Sequence, residues 1–188
     1  MNKSFSTDKL HEAIKQIKQQ QIVALPTESV YGLSCIITPK TVERLIQLKE
    51  RAFEKGFIVV SNDLAHLLDY ADLTQLDKRH LELIKKPTKR PTTWIIPAKK
   101  EIHWLTGQYT SIAVRLTDHP VLKAVSQALD QAIISTSANL SNKPPATTAK
   151  EVEKYFPHKL GYVYDQGYPC DGKPSQIIEL LTQKIIRP

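Results

Sequence analysis

Short apolar runs of strand length alternate irregularly with segments whose apolar residues recur at helical spacing, and this pattern most constrains the fold. An apolar run of about four to eight residues bounded by turn residues is typical of a buried strand, whereas apolar residues about three or four positions apart indicate one buried helix face. Because the alternation is not a regular βαβ repeat, we predict an α/β fold (α+β in some schemes) with a twisted mixed β-sheet flanked by helices. No linker, internal repeat or low-complexity segment interrupts the pattern, so we predict a single domain over residues 1–188.

Two capping signals place helix starts. Thr38 followed by Pro39 predicts an N-cap with proline at the first helical position, and Thr148 with Glu151 predicts a capping box. The predicted helices are 7–20, 39–49, 63–70, 74–86, 120–129 and 148–156. The predicted strands are 22–25, 30–37, 57–60, 92–98, 111–116, 132–136, 162–164 and 176–180.

Composition excludes several classes of protein. With 188 residues, 41% of them hydrophobic, the chain is long enough to bury a core. It has neither an apolar run of about 18 residues nor a signal-peptide pattern, so we predict a cytoplasmic protein with no membrane contact. The two cysteines are far apart and the histidines lack metal-ligand spacing, so neither a disulfide nor a bound metal is predicted.

The formal net charge of +7 permits binding to nucleic acid, nucleotides or other polyanions without choosing among them. Much of the excess lies between residues 78 and 100, where eight lysines and arginines face only Asp77 and Glu82 nearby. A solvated helix face followed by a basic loop explains this segment as well as a polyanion contact does.

Polar side chains occur in or next to predicted strands at four places, and open α/β sheets form ligand sites in the loops at strand ends. The four places are Pro26–Ser29, the segment 49–55, Arg115 within its strand, and the loop 135–139. Each has an ordinary structural explanation as well: a turn, a helix-dipole partner, an ion pair, or a loop rich in Ser and Asn. For Glu28 a turn role, an ion pair with Arg115 or another cation, and a role in orienting substrate all stay open.

The chain contains neither GxxxxGK[ST] nor GxGxxG, and it has six glycines in all. A phosphate cradle built of glycine backbone is therefore not expected, and any nucleotide site must use cationic and hydroxyl side chains. A Ser-Lys hydrolase around Ser137 is disfavoured because Ser137 lies in neither a GxSxG nor an SxxK motif.

At the same four places the sequence resembles the threonylcarbamoyl-AMP synthase family, the YrdC-like or TsaC proteins. The family's P-T-E-T-x-Y-G-L and K-x-R-P-x-x-K-G resemble PTESVYGL (26–33) and KERAFEKG (49–56). Its A-V-R-x-x-x-H-P and S-T-S-A-N-x-S-G-x-P-P resemble AVRLTDHP (113–120) and STSANLSNKPP (135–145). The motifs occur in the family's order.

This resemblance implies a YrdC/RibB-like fold in the short form, without the C-terminal extension domain of longer relatives. It implies a nucleotidyltransferase that converts L-threonine, bicarbonate and ATP to threonylcarbamoyl-AMP and diphosphate, the first step of t6A modification at tRNA position 37. ATP is then a substrate, with Mg²⁺ carried on it. Expected partners are tRNA or RNA and, transiently, later proteins of the t6A pathway.

The resemblance also implies site residues. Lys49, Arg51, Ser137 and Asn139 match the family's signature tetrad, which implies contacts to the nucleotide phosphates and the reacting carboxylate.

Other matched positions imply binding roles. Lys55, Thr93 and Ser135, together with Ser137, are expected to bind ATP. Thr27 and Arg115 are expected to hold threonine, Arg115 through the carboxylate.

The sequence departs from the family pattern in places. Arg90 stands at a usual glycine three residues before Thr93, where a side chain could narrow the site. Asn142 replaces another glycine, and Asn is the mildest substitute at a positive φ. The alternative function is a non-catalytic RNA-binding module that uses the same basic cleft and the 78–100 segment.

Overall fold

A computed structural model describes residues 7–52, 56–165 and 170–188. The α-helices are α1 (Thr7–Lys18), α2 (Pro39–Lys49), α3 (Leu64–Leu68), α4 (Lys78–Lys85), α5 (His103–Thr106), α6 (Pro120–Leu129) and α7 (Ala149–Tyr155). The strands are β1 (Val23–Leu25), β2 (Gly32–Cys35), β3 (Ile58–Ser61), β4 (Thr92–Pro97), β5 (Ser111–Leu116), β6 (Ile133–Ser137), β7 (Tyr162–Val163), β8 (Gln176–Glu179) and β9 (Ile185–Arg187). No helix of these residues is long and apolar enough to cross a membrane.

Both predicted capping signals are confirmed. The Thr38 hydroxyl accepts a hydrogen bond from the Thr41 amide at 3.2 Å and starts α2. The Thr148 hydroxyl accepts one from the Glu151 amide at 3.2 Å and starts α7. Side-chain caps satisfy amides that the first helical turn leaves without intrahelical partners, so the sequence determines where these helices begin.

The nine strands of the described residues form one mixed sheet in the order β7-β1-β2-β6-β3-β5-β4-β8-β9. The pairs β1–β7, β3–β5 and β4–β8 are parallel, and the other neighbours are antiparallel. The predicted mixed sheet flanked by helices is therefore confirmed.

Alternation along the strands divides the core into two clusters, one on each face of the sheet. In β6, Ile133 packs with Ala13 and Ile17 of α1 and with Val125 of α6, whereas its neighbour Ile134 packs in the other cluster. On the α1/α6 face, the strand pairing aligns side chains of β3 with those of β5 and β4. Residues of β6, β3, β5, β4 and β8 line a cavity, so the fold places the site over this part of the sheet.

One predicted helix is wrong in its first part. The segment predicted as helix over 74–86 consists of a 3₁₀ turn at Leu73–Gln75 and α4, which starts at Lys78. The Asp72 carboxylate accepts from the Thr74 amide at 3.1 Å, and the Asp77 carboxylate accepts from the Arg79 amide at 2.8 Å. Each aspartate starts its own turn, which divides the segment.

Sequence patterning missed α5 and β9. Both are short, and Ile185 in β9 is 57% exposed, so neither element shows a buried periodicity that could be read in advance. β9 pairs antiparallel with β8 after a turn in which Gln183 has φ 59°.

Candidate active site

A cavity of about 510 Å³ lies over this part of the sheet. It brings together residues from all four polar places predicted from the sequence. The predicted site residues that line it are Thr27, Arg51, Arg115, Ser135 and Ser137. The remaining wall is largely apolar and includes Phe57, Ile95, Ile112 and Ile177.

The Pro26–Ser29 hinge forms a tight turn held by Thr27. The Thr27 hydroxyl donates to the Val30 carbonyl at 2.8 Å and accepts from the Ser29 amide at 3.0 Å. Thr27 therefore lines the cavity while its hydroxyl is used within the turn. The expected role of Thr27 in holding threonine stays a prediction.

Gly32 lets this turn pack closely against the next strand. A Cβ at position 32 would lie 2.6 Å from the Ser135 hydroxyl and 3.5 Å from the Thr27 methyl. Because real Cβ atoms do not approach this closely, a side chain here would push Ser135 out of place.

We call the group Lys49, Arg51, Ser137 and Asn139 the loop end of the cavity. The Lys49 ammonium donates to the Ser137 carbonyl, to the Asn139 carbonyl at 2.9 Å and to Asn139 Oδ1 at 3.2 Å. The Ser137 hydroxyl donates to the same Oδ1 at 2.6 Å. Lys49, Ser137 and Asn139 of the predicted tetrad are thus connected by hydrogen bonds.

Lys49 faces the 137–139 loop in this structure, and its expected contact to the nucleotide phosphates or the reacting carboxylate stays a prediction. Its three ammonium protons all have acceptors in the 137–139 loop. It is 3% exposed and is not among the described residues that line the cavity. Burial, with a smaller contribution from the nearby charge of Arg51, lowers the pKa of Lys49 to about 7. Lys49 therefore fixes the loop that carries Ser137 and Asn139.

Arg51 reaches the cavity because the chain turns sharply after α2. Glu50 adopts the left-handed conformation with φ 49°, which ends the helix. The Arg51 guanidinium then donates to the Gly56 carbonyl at 2.7 Å, lies 3.4 Å from the Thr136 hydroxyl and stacks 5.0 Å from the Phe57 ring centroid. Burial lowers the pKa of Arg51, but arginine remains charged at neutral pH.

We call the group Glu28, Arg115 and Thr117 the strand end of the cavity. Arg115 Nη1 lies 3.6 Å from Glu28 Oε2, and the Thr117 hydroxyl donates to Glu28 Oε1 at 2.6 Å. Burial disfavours the charged carboxylate, yet the Arg115 charge and the Thr117 hydrogen bond together lower the pKa of Glu28. Glu28 thus pairs with Arg115, one of the three roles left open by the sequence.

Thr93 is fully buried and is not among the described cavity-lining residues. Its hydroxyl shares a 2.8 Å hydrogen bond with Ser175, which does line the cavity. The expected role of Thr93 in ATP binding stays a prediction. Lys55 lies outside the described residues.

Sequence reasoning missed Ser175 and Arg187 as cavity residues. Arg187 Nη2 donates to the Ser175 carbonyl at 2.6 Å, and burial lowers the pKa of Arg187. Both follow the last predicted helix and carry no recognised spacing.

Two departures from the family pattern have clear structural outcomes. Arg90 is exposed, and Nη2 lies 3.4 Å from the Pro174 carbonyl, so its side chain contacts the segment next to Ser175 and is not itself among the described lining residues. Asn142 has φ 62°, which confirms that this position needs the left-handed conformation.

The basic residues of the 78–100 segment are not among the described residues that line the cavity. Several pair locally: Arg79 lies 3.0 Å from Asp77, and Lys85 lies 3.4 Å from Glu82. This arrangement is that of a solvated helix face.

A family model described as telomere recombination, which covers the Sua5, YciO and YrdC proteins, matches residues 15–188. The chain belongs to the Sua5/YciO/YrdC family. A family relative from Haemophilus influenzae strain Rd, named threonylcarbamoyl-AMP synthase, is 40% identical over 173 residues, which are 91% of this chain and 94% of the relative. A protein of the same name from Vibrio campbellii is 36% identical over 178 residues, 94% of this chain and 96% of the relative.

Solved structures of the family share the fold. P. abyssi Sua5 in complex with L-threonine matches with a TM-score of 0.88 and 27% identity, over 99% of this chain and 55% of that chain. E. coli YciO matches with a TM-score of 0.84 and 22% identity, over 98% of this chain and 90% of that chain. The chain thus spans about half the length of Sua5.

Proposed function

We propose that this chain is a threonylcarbamoyl-AMP synthase. In this reaction L-threonine, bicarbonate and ATP give threonylcarbamoyl-AMP and diphosphate, which makes the chain a nucleotidyltransferase. Relatives of that name match almost the whole chain, and a Sua5 with the same fold was solved with L-threonine.

One observation carries the proposal: a single cavity is lined both by Arg51 and by Arg115, the former beside a hydroxyl-rich loop and the latter beside Glu28. A triphosphate and an amino-acid carboxylate are both anionic, and arginine forks match both geometries. The apolar wall around Ile95 and Ile177 offers burial for a nucleoside base.

The chemistry needs positioning more than a covalent nucleophile. The threonine amine forms an N–C bond to carbon dioxide derived from bicarbonate and loses a proton, which gives a carbamate. A carbamate oxygen then bonds to the α-phosphorus of ATP while the bond to the diphosphate leaving group breaks. Holding the reactants in line and stabilising the phosphate charge are the contributions expected of the protein.

We assign roles accordingly. Arg51, Ser137 and Ser135 contact the nucleotide or the reacting carboxylate, and Arg115 binds the threonine carboxylate in a pocket closed by Thr27. Lys49 and Asn139 shape the loop end. Thr93 acts through Ser175, and Lys55 remains a predicted ATP ligand.

Mg²⁺ belongs to the substrate in this proposal. The described residues contain no group of three or more His, Cys, Asp and Glu side chains that could hold a metal ion.

The product would enter t6A synthesis at tRNA position 37 in the cytoplasm. tRNA and the later proteins of that pathway remain expected partners. The alternative, a non-catalytic RNA-binding module, predicts RNA affinity that falls steeply with salt and does not depend on threonine.

Diphosphate release tests the proposal. Purified protein should release diphosphate only when ATP, L-threonine and bicarbonate are all present. Release without threonine, or no release under any combination, would contradict the proposal. RNA binding without any release would favour the alternative.

A further inference from the structure

The ion pair at the strand end has an open geometry. Arg115 Nη1 and Glu28 Oε2 are 3.6 Å apart, which is beyond hydrogen-bond distance. A closed arginine–carboxylate pair has N···O distances of about 2.7–2.9 Å, often two of them side by side. Glu28 therefore compensates the Arg115 charge without forming a hydrogen bond to its donors.

Thr117 explains why the pair stays open. Its hydroxyl donates to Glu28 Oε1 at 2.6 Å, the shortest contact that this carboxylate makes within the described residues. The hydroxyl oxygen accepts from the His119 amide at 3.1 Å, so its proton is left for Glu28. The Thr117 amide donates to the Ser61 carbonyl at 2.9 Å, and the residue is 5% exposed. Thr117 is thus itself held in place directly after β5 while its hydroxyl binds the Glu28 carboxylate.

We propose that Thr117 is a positioning residue that holds Glu28 away from Arg115 and so keeps the guanidinium available to the substrate carboxylate. The inference rests on the proposed function, in which that substrate is L-threonine. Without the hydroxyl, Glu28 Oε1 loses its donor, and a partly buried carboxylate then gains most by closing on the nearest cation. A shift of about 1 Å would complete the pair with Arg115.

The mechanism predicts a specific failure of additivity. Thr117→Val should weaken L-threonine binding because Glu28 then occupies Arg115. In a Glu28→Gln background the same substitution should have little effect, because a neutral amide does not compete for the guanidinium as a carboxylate does. A purely structural role of Thr117 would weaken binding equally in both backgrounds.

The experiment is a double-mutant cycle with L-threonine binding measured by titration calorimetry in the presence of ATP. Thr117→Val is expected to raise the threonine Kd about tenfold or more, while the ATP Kd changes less than about threefold. Thr117→Ser keeps the hydroxyl and should bind as the unmodified protein does. Thr74→Val is the matched control, because the Thr74 hydroxyl also donates to a carboxylate at 2.6 Å but lies exposed beside Asp72.

Each outcome has a distinct meaning. A large Thr117→Val effect that disappears in the Glu28→Gln background supports the proposal. Equal effects in both backgrounds, or no effect in either, overturn it while leaving the proposed function intact. Failure of the unmodified protein to bind L-threonine would overturn the proposed function and this inference with it. Thermal melts of all variants separate misfolding from a binding defect, and Thr117→Ala, which also lacks the hydroxyl, repeats the test if Thr117→Val does not fold.

Discussion

The two ends of the cavity hold their cations in different ways. At the loop end, Lys49 and Arg51 donate to backbone carbonyls, a side-chain amide and a hydroxyl. At the strand end, Arg115 faces the Glu28 carboxylate. At the loop end the cations therefore contact neutral acceptors, an arrangement that suits a polyanion. At the strand end the Glu28 carboxylate already balances the charge of Arg115, an arrangement that suits a single substrate carboxylate.

The largest expected effect is at the loop end. Arg51→Ala should reduce kcat about 10²–10³-fold, because it removes a cation aimed at developing phosphate charge. Arg44→Ala is the control. Arg44 also lies on α2, but it donates to the Gln20 carbonyl at 2.7 Å and is not among the described residues that line the cavity. Steady-state diphosphate release gives kcat for both variants. Equal kcat values of Arg51→Ala and the control would show that the loop end does not contribute to the reaction.

At the strand end the expected effect is on one substrate. Arg115→Gln should raise the KM for L-threonine about tenfold or more and leave the KM for ATP nearly unchanged, because a neutral amide cannot replace the guanidinium fork. Matched titrations of the two substrates check this split. If both KM values rise together, the cavity does not have two separate ends.

Gly56 connects Arg51 to the neighbouring helix. With φ 56°, a Cβ at this position would lie 2.7 Å from the Thr106 carbonyl oxygen, so Gly56→Ala should lower the free energy of unfolding by about 1–3 kcal/mol. Gly172→Ala is the matched control, since it has φ 76° but its nearest contact would be 3.9 Å away. Denaturant unfolding of both variants isolates the clash from the backbone strain. Equal losses would show that Thr106 does not restrict this position.

Lys49 makes the free energy of unfolding depend on pH. Its pKa falls from 10.5 to about 7 on folding, so between these values the unfolded chain binds more protons than the folded one. The Lys49 contribution to stability therefore rises from about pH 7 to 10, with a slope of at most about 1.4 kcal/mol per pH unit. Unfolding free energies of the unmodified protein and Lys49→Met should diverge across this window. Parallel pH curves would contradict the buried placement of Lys49.

The smallest effect is expected in the loop beyond Asn139. Asn142 has φ 62°, so Asn142→Gly should change the free energy of unfolding by less than about 1 kcal/mol. Asn142→Val, with a β-branched side chain in the left-handed region, should cost more. Thermal melts compare the two, and a tolerant Asn142→Val would show that the loop conformation is not enforced.

Local signals predicted much of the fold. Thr38, Pro39 and Thr148 set helix starts because capping depends on residues only a few positions apart. Apolar runs such as 111–116 identified strands because this pattern, too, lies within a few neighbouring residues. The predicted helix 74–86 combines two separately capped turns, because the helical periodicity of the apolar residues continues across Asp77. The expectation of a single domain without a C-terminal extension stays a prediction.

The site was predictable as a set of residues but not as an arrangement. The order of the motifs named Arg51, Ser137 and Arg115, and the structure places all three around one cavity. No sequence pattern could show that Lys49 turns away towards the 137–139 loop or that Ser175 stands between Thr93 and the cavity. Those facts depend on contacts between residues about 80 or more positions apart.

The most direct test is the mass of the nucleotide product formed from ATP, L-threonine and ¹³C-bicarbonate. The account predicts an adenylate that contains both threonine and the labelled carbon, released together with diphosphate. A threonyl adenylate without the label, or ATP cleaved to ADP and phosphate, would contradict it.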